Sequence, residues 1–232
     1  MKTIGIIGGM SWESTALYYQ GINRGVSESL GGLHSATLIL YSVDFAEIEK
    51  LQHAGDWEAA GAILNRAAIS LQAAGADFLL IATNTMHKVA NRVVDALDIP
   101  LLHIVDPTAN ALLQAGHQRV GLLGTGFTMS DTFYKGRMQE VFGLEVIVPD
   151  ESEQAQVHRI IYDELCLGII RQPSREVYLQ VIDRLIARGA EAVILGCTEI
   201  TLLIQPSHTS APLFDTTALH AAAAVTRALE GD

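Results

Sequence analysis

Two side chains that could take part in proton transfer stand at matching places in a repeated segment. Residues 75–85 (GADFLLIATNT) and 189–199 (GAEAVILGCTE) share a turn of small residues, an acidic residue, an apolar run and a polar end. The alignment pairs Thr83 with Cys197. A thiol can exchange a proton near neutral pH, whereas a hydroxyl is a far weaker acid. The repeat therefore predicts two half-sites that face each other, one with a thiol and one with a hydroxyl.

Cys197 has two interpretations. Most free cysteines are small buried hydrophobic residues. At the junction of a strand and a helix, however, backbone N–H groups and the helix dipole lower the pKa of a thiol and make it an acid, base or nucleophile. The polar residues that follow Cys197 favour this second interpretation. Cys166 lies in a mostly apolar helical context, which favours a structural role for it.

The polar residues after the first apolar run also allow two roles. Thr83, Asn84 and Thr85 could cap the helix that follows, or form a carboxylate-binding nest with their backbone N–H groups, and the two roles are compatible. His87 is predicted to pack or to support the site rather than to act as a base. The glycines before Met10 lack the dinucleotide fingerprint, so they predict a tight turn or a close approach to a ligand.

The elements that must position these residues alternate along the chain. Strands are predicted at residues 3–8, 36–41, 78–82, 101–105, 119–124, 144–148 and 192–196, with a further short strand after Pro212. Helices are predicted from about residues 14 and 130, and over 56–74, 154–167, 175–188 and 217–229. This alternation predicts an α/β fold with mostly parallel sheets and helices on both faces.

A second repeat predicts two pseudo-symmetric domains. Residues 4–8 (IGIIG) match residues 120–124 (VGLLG), and residues 100–102 (PLL) are echoed at 212–214 (PLF). We expect the segment after Pro212 to return to the first half and complete it. The predicted domains are residues 1–98 with 212–232, and residues 99–211. Ligands bind at the carboxyl ends of parallel strands, so we expect the active site in the cleft between the domains.

The composition excludes several classes of protein. A chain of 232 residues with a formal charge of −11 is disfavoured for binding nucleic acid or an anionic membrane surface. No apolar run reaches the length of a membrane span, and the start does not resemble a signal peptide, so we expect a cytoplasmic protein without a membrane partner. Two cysteines and scattered histidines show no metal-ligand spacing, so no metal site is predicted.

Three ordered motifs resemble the aspartate/glutamate racemase family, in the branch of broad-specificity and L-aspartate/glutamate-specific racemases. They are residues 4–15 (IGIIGGMSWEST), 83–88 (TNTMHK) and 196–200 (GCTEI), and the resemblance covers essentially the whole chain.

The resemblance implies a mechanism and a set of site residues. The mechanism uses no pyridoxal phosphate or other cofactor: one thiolate removes the α-proton of an amino acid, and a thiol on the opposite face returns one. Relatives form homodimers, so a homodimer is expected. The implied catalytic pair is Cys197 and Thr83. The implied substrate-binding residues are Met10, Gln52 (on a loop after the second strand), Asn84, Thr85, Glu164 and Thr198.

The chain departs from the family pattern at two places. Thr83 stands where the family usually has cysteine, so we expect Cys197 to deprotonate one enantiomer well and the reverse direction to start poorly. Residues 161–166 (IYDELC) lack the lysine of aspartate-specific relatives, and Cys166 occupies the matching position. The expected substrate is therefore aspartate or glutamate, or a neutral polar amino acid such as homoserine.

Two other functions remain open from the sequence. Arylmalonate decarboxylases and maleate isomerases belong to the same superfamily, and a decarboxylase needs only one catalytic cysteine. A chain that has lost one acid/base group could also be a non-catalytic protein that binds a small molecule.

Overall fold

The computed structural model describes residues 1–95 and 97–230, which form two compact units. The first unit comprises residues 1–104 and the segment that begins at His220, and the second comprises residues 105–219.

The first unit is built on a three-stranded parallel sheet in the order β2-β1-β3. The strands are β1 (Ile4–Gly8), β2 (Leu38–Ser42) and β3 (Phe78–Ile81). β1 and β3 are buried along their whole length, as expected for apolar strands covered on both faces. The helices that begin in this unit are α1 (Trp12–Leu30), α2 (Phe45–Ala54), α3 (Trp57–Ala73) and α4 (Ala90–Val93).

Helices cover both faces of the first sheet. On one face, Tyr18, Ile22 and Val26 of α1 share a buried cluster with Ile4 and Ile6 of β1. On the other face, the apolar stripe of α3 packs against the remaining strand side chains, in a cluster that includes Leu64, Ala67, Leu71, Ile7, Leu79 and Ile81. The predicted helix over 56–74 therefore supplies one of the two covering layers.

The second unit contains a four-stranded parallel sheet in the order β5-β4-β6-β7. Its strands are β4 (Arg119–Gly124), β5 (Glu145–Ile147), β6 (Ala192–Gly196) and β7 (Leu213–Asp215). Its helices are α5 (Val105–Gln114), α6 (Gly126–Ser130), α7 (Thr132–Phe142), α8 (Glu151–Asp163), α9 (Gln172–Ala187) and α10 (Ile200–Leu203). The last helix, α11 (Thr216–Leu229), begins in this unit, and its residues from His220 onward belong to the first.

The structure corrects the prediction for the segment after Pro212. β7 pairs with β6, with Ile194 opposite Phe214, so this strand completes the second sheet and not the first. The equivalent residue Leu101 pairs with Leu79 and so stays with the first sheet. Each of the two segments therefore pairs with the strand that precedes it in the chain. The part of the last helix from His220 onward belongs to the first unit.

Two local predictions also differ from the structure. Residues 101–105 form a single bridge rather than a strand, because α5 begins at Val105 with Pro107 in its first turn, where proline favours a helix start. Helix α2 was not predicted, although Asp44 caps it by accepting the N–H of Ala46. In the part of the chain that the structure describes, no helix has the length and apolar character needed to cross a membrane.

Candidate functional site

A tightly folded turn holds Met10 between β1 and α1. Gly9 has φ of +93°, and a Cβ at this position would clash with the carbonyl oxygen of Val43. The N–H of Gly9 donates to Oγ1 of Thr15 at 2.8 Å, and that hydroxyl donates to the carbonyl of Ser11 at 2.9 Å. These bonds tie the turn to the first turn of α1, and Met10 is buried within it.

Thr83 follows β3 and is held through its carbonyl by His87. Nε2 of His87 accepts the N–H of Ile104 at 3.2 Å, so this nitrogen carries no proton. Nδ1 therefore carries the proton and donates to the carbonyl of Thr83 at 2.8 Å. His87 is a buried, neutral imidazole that positions the Thr83 loop, which fits the supporting role expected from the sequence rather than that of a base.

The neighbouring polar residues of the first unit are buried. Asn84 and Thr85 are 4% and 5% exposed, and Asn84 does not cap the short 3₁₀ helix that follows it. Gln52 lies inside α2 and not on a loop, which corrects the expected placement. Its Nε2 contacts Sδ of Met86 at 3.1 Å, while its buried Oε1 has no hydrogen-bond partner among the described residues. A buried acceptor in this state calls for a donor from outside the chain.

Cys197 lies at the carboxyl end of β6, in the second unit, and forms a pair with Glu199. Its side chain is buried, and Sγ donates to Oε2 of Glu199 at 3.0 Å. The carbonyl of Cys197 accepts the N–H of Ile200, so the chain turns directly into α10. The strand end, the turn and the short helix therefore fix the thiol against a carboxylate.

The environment of Cys197 raises the pKa of its thiol well above the ordinary value. Burial is the largest cause, and the negative charges of Glu199 and of Cys166, when that thiol is ionised, act in the same direction. The expected lowering by the helix dipole is therefore wrong. α10 has only four residues, and Glu199 places a full charge beside the sulfur, which outweighs the partial charge of a helix end.

Thr198 is held by the start of α11. Its Oγ1 accepts a hydrogen bond from Oγ1 of Thr217 at 3.1 Å, and the N–H of Thr217 donates to Oδ1 of Asp215 at 2.8 Å. Burial raises the pKa of Asp215, although its backbone hydrogen bonds oppose the shift. The side chain of Thr198 is thus held in one orientation. The backbone carbonyl of Thr198 also accepts a hydrogen bond from the hydroxyl of Thr201 at 2.8 Å.

Glu164, the remaining predicted binding residue, lies at the end of α8. Oε2 accepts a hydrogen bond from Ser174 at 2.6 Å, and Oε1 lies 3.6 Å from Nη1 of Arg171. Burial raises the pKa of Tyr178, and the charges of Cys197, Cys166, Glu199 and Glu164 raise it further. Tyr178 therefore lies in a region of the second unit that both thiols and both carboxylates influence electrostatically.

The structure groups the predicted residues by unit. Met10, Gln52, Thr83, Asn84 and Thr85 belong to the first unit, and Glu164, Cys197 and Thr198 belong to the second. Within the first unit, the contact with Met86 brings Gln52 to the segment that contains Thr85.

Sequence reasoning assigned no role to two residues of the second unit that contact Cys197 and Thr198, namely Glu199 and Thr217. Glu199 was visible as an acidic residue two places after the thiol, whereas no sequence signal marked Thr217. Over residues 1–95 and 97–230, no group of three or more potential metal-ligating side chains is found.

Comparisons with known proteins converge on one group. Residues 7–224 match the family model described as Asp/Glu/Hydantoin racemase. The chain is 28% identical over 155 residues to the broad specificity amino-acid racemase RacX of Bacillus subtilis, a match that covers 65% of this chain and 64% of the relative. The matched region is thus less than two thirds of that racemase.

Two solved structures match along nearly the whole chain. A protein from Yersinia pestis with an Asp/Glu racemase assignment is 56% identical, with a TM-score of 0.93, over 99% of this chain and 100% of that one. An aspartate racemase homologue from Pyrococcus horikoshii is 37% identical, with a TM-score of 0.84 and the same coverage.

Proposed function

Because the chain belongs to the Asp/Glu/hydantoin racemase family, we propose that it is a cofactor-independent amino-acid racemase and works as a homodimer. The observation that carries the proposal is the buried Cys197–Glu199 pair, a thiol with a proton acceptor 3.0 Å away. A buried hydrophobic cysteine would need no such partner, whereas an acid/base thiol does.

Cys197 exchanges the α-proton on one face of the substrate. With its pKa raised, the thiol rests in the protonated form and is ready to donate. When Cys197 acts as the base, the thiol proton moves first to Glu199. The thiolate then takes the α-proton, an S–H bond forms, the Cα–H bond breaks, and the electron pair passes to the α-carbon and its carboxylate.

Thr83 completes the inversion from the other face of the α-carbon. The support is its place after β3, which is equivalent to that of Cys197 after β6 in the repeat. Its hydroxyl is a weak acid, so proton return at this face is slow unless the carbanion is strongly basic. One enantiomer is therefore processed faster than the other, although the equilibrium of the racemisation is unchanged.

The polar groups around the two strand ends bind the amino acid. Asn84, Thr85 and Thr198 donate to the α-carboxylate, and stabilise the charge that develops when the α-proton leaves. The buried Oε1 of Gln52 accepts a hydrogen bond from the α-ammonium, which supplies the donor that this oxygen lacks. Met10 contacts the substrate through its backbone.

The substrate side chain is the open part of the proposal. The carboxylates of Glu164 and Glu199 would repel a distal carboxylate bound nearby, and Arg171 already interacts with Glu164 at 3.6 Å. This charge pattern favours a neutral polar amino acid such as homoserine over aspartate and glutamate. A side-by-side assay of the three decides, and equal inactivity on all three contradicts the argument.

A decarboxylase of the same superfamily is the second candidate. The observation in its favour is that only Cys197, of the equivalent pair Thr83 and Cys197, carries a thiol, because protonation after decarboxylation occurs on one face only. Release of carbon dioxide from an arylmalonate, together with no racemisation of any amino acid, would establish it.

Chiral chromatography of each enantiomer after incubation with the enzyme tests the proposed function. We expect racemisation by the wild type and by Cys166→Ser, and a loss of at least about 100-fold in Cys197→Ser, the range typical for removing a general acid or base. Equal rates in the wild type and Cys197→Ser would reject the proposal.

A further inference from the structure

We infer that Tyr18 and His220 are positioning residues for the loop that carries Thr83. They act through His87, whose Nδ1 donates to the carbonyl of Thr83 at 2.8 Å. Tyr18 and His220 are fully buried, and the exposed fraction of His87 is 3%. All four residues belong to the first unit. The inference rests on the proposed function, in which Thr83 serves as the second acid/base.

His220 has a fixed tautomer, because a carbonyl oxygen can only accept a hydrogen bond. Nε2 of His220 lies 2.9 Å from the carbonyl oxygen of Leu102, so Nε2 carries the proton and donates. Nδ1 of the neutral ring is then an acceptor, and the hydroxyl of Tyr18 donates to it at 2.8 Å. The two rings meet edge to face, with their centroids 5.6 Å apart. Tyr18 therefore fixes the ring of His220, and that ring holds the carbonyl of Leu102.

The two histidines hold one short backbone segment from its two ends. His220 donates to the carbonyl of Leu102, and two residues further on the N–H of Ile104 donates to Nε2 of His87 at 3.2 Å. The ring centroids of His87 and His220 are 5.9 Å apart. A buried polar network whose hydrogen bonds are made is rigid, so a shift of His220 moves the segment and, through it, His87. We call this network the histidine clamp; it consists of Tyr18, His87, His220 and residues 102–104.

The second half of the chain repeats the tyrosine of the clamp but not its histidines. The tyrosine recurs as Tyr134 on α7, which is also fully buried. In the repeats, the first clamp histidine is matched by Thr201 and the second by Thr108. The histidines are therefore not a requirement of the repeated fold. They stand in the half whose acid/base is the hydroxyl of Thr83, where proton transfer depends on the alignment of a weak acid.

A comparison of inversion with α-proton exchange tests the clamp. Exchange with retention needs Cys197 alone: the thiolate takes the α-proton, the new S–H bond exchanges with D₂O, and the thiol returns a deuteron to the same face. Inversion also needs Thr83. In Tyr18→Phe we expect the ratio of inversion to exchange to fall about 10-fold, since a misplacement of about 1 Å can cost about 100-fold in rate. Loss of folded enzyme would instead lower both rates equally.

Tyr134→Phe is the matched control, because it removes the hydroxyl of the equivalent buried tyrosine in the second half. This variant should keep the wild-type ratio of inversion to exchange. Circular dichroism checks that both variants are folded. A ratio that is unchanged in folded Tyr18→Phe, or that falls equally in Tyr134→Phe, overturns the inference.

Substitutions of His220 separate hydrogen bonding from packing. His220→Gln keeps an N–H for the carbonyl of Leu102 and an oxygen that can accept from Tyr18, whereas His220→Ala keeps neither. We expect the ratio of inversion to exchange to fall about 10-fold or more in His220→Ala and to stay within about 3-fold of the wild type in His220→Gln. Equal ratios in the two folded variants would contradict the role of the hydrogen bonds.

Long-range proton–nitrogen NMR of isotope-labelled histidines tests the clamp without any activity. In the wild type we expect the proton of His87 on Nδ1 and that of His220 on Nε2, and in His220→Ala a mixture of both tautomers for His87. A proton on Nε2 of His87, or a single Nδ1–H tautomer that persists in His220→Ala, overturns the inference. If the wild type shows the expected tautomers but neither exchanges nor inverts any amino acid, the proposed function fails and the clamp stands.

Discussion

The carboxylate of Glu199 lies 3.0 Å from the thiol of Cys197, and this contact defines the chemistry of the site at the scale of single residues. Burial and the carboxylate both raise the pKa of the thiol, so the resting residue is a proton donor. The motif 196–200 made Cys197 recognisable from the sequence. The direction in which the pKa of the Cys197 thiol shifts was not predictable, because the shift depends on where the Glu199 side chain points and on how deeply β6 is buried.

Removing the charge of Glu199 should lower the pKa of Cys197. In Glu199→Gln, with Cys166→Ser in the background, we expect the rate of alkylation by iodoacetamide to rise at lower pH than in the Cys166→Ser parent. Burial remains the largest cause of the raised pKa, so the thiol still ionises above its ordinary range. Glu164→Gln is the matched control and should leave the alkylation profile in place. An unchanged profile in Glu199→Gln would show that the contact does not control ionisation.

Replacing the hydroxyl of Thr83 by a thiol should speed proton transfer on the face of the substrate that Thr83 serves. Thr83→Cys is expected to raise the rate for the slower enantiomer about 10-fold or more, because a thiol is far better matched to proton transfer near neutral pH. Chiral chromatography of both enantiomers measures the change. Thr83→Ser keeps the hydroxyl and should preserve the asymmetry. If Thr83→Cys shows no gain, Thr83 is not the second acid/base.

At the scale of elements, the turns at the carboxyl ends of the strands are the parts that position the site. The repeats identified β1, β3, β4 and β6 from the sequence, because apolar runs between glycines and polar ends are distinctive. The place of β7 was not predictable, since the echo of Pro100 at Pro212 shows a similar segment but not which sheet edge accepts it. Helix α2, which carries Gln52, was missed because it has only ten residues and one of its two buried side chains is polar.

The turn at Gly9 should tolerate no side chain. Gly9→Ala is expected to lower the free energy of unfolding by more than about 2 kcal/mol. A residue with a Cβ costs about 1–2 kcal/mol at a positive φ, and the clash with the carbonyl of Val43 adds to that cost. Gly55→Ala is the matched control, because Gly55 has φ of +71° but no atom within 4 Å of the position that a Cβ would take. Urea unfolding midpoints compare the two. Equal losses of stability would show that the clash with Val43 is relieved at no cost.

At the scale of the whole molecule, several buried groups keep their protons in the folded state. Burial raises the pKa values of Tyr134, Tyr178 and Cys197. Above about pH 9 the unfolded chain releases protons that the folded chain retains. The stability that these groups contribute is therefore complete below their unfolded pKa values and is lost as the pH rises.

The free energy of unfolding should accordingly fall between about pH 9 and pH 11, by up to about 1.4 kcal/mol per pH unit for each such group. Urea titrations at successive pH values measure the slope. Tyr178→Phe should make the slope shallower, although it also removes the hydrogen bond from Tyr178 to the carbonyl of Val157 at 3.2 Å. A slope that is the same in this variant would contradict the assignment to Tyr178.

The duplication was readable from the sequence at this scale as well, since residues 4–8 and 120–124 open two similar halves. The division of the chain was not, because α11 begins in one unit and continues in the other. A helix that crosses a unit boundary without a break leaves no glycine, proline or change of composition to mark it.

Exchange of the α-proton with solvent tests the central claim most directly. Both enantiomers of aspartate, glutamate and homoserine are incubated with the enzyme in D₂O, and loss of the α-proton signal is followed by NMR. We predict exchange with at least one amino acid in the wild type and in Cys166→Ser, faster for one enantiomer, and none in Cys197→Ser. Exchange that continues undiminished in Cys197→Ser would contradict the account.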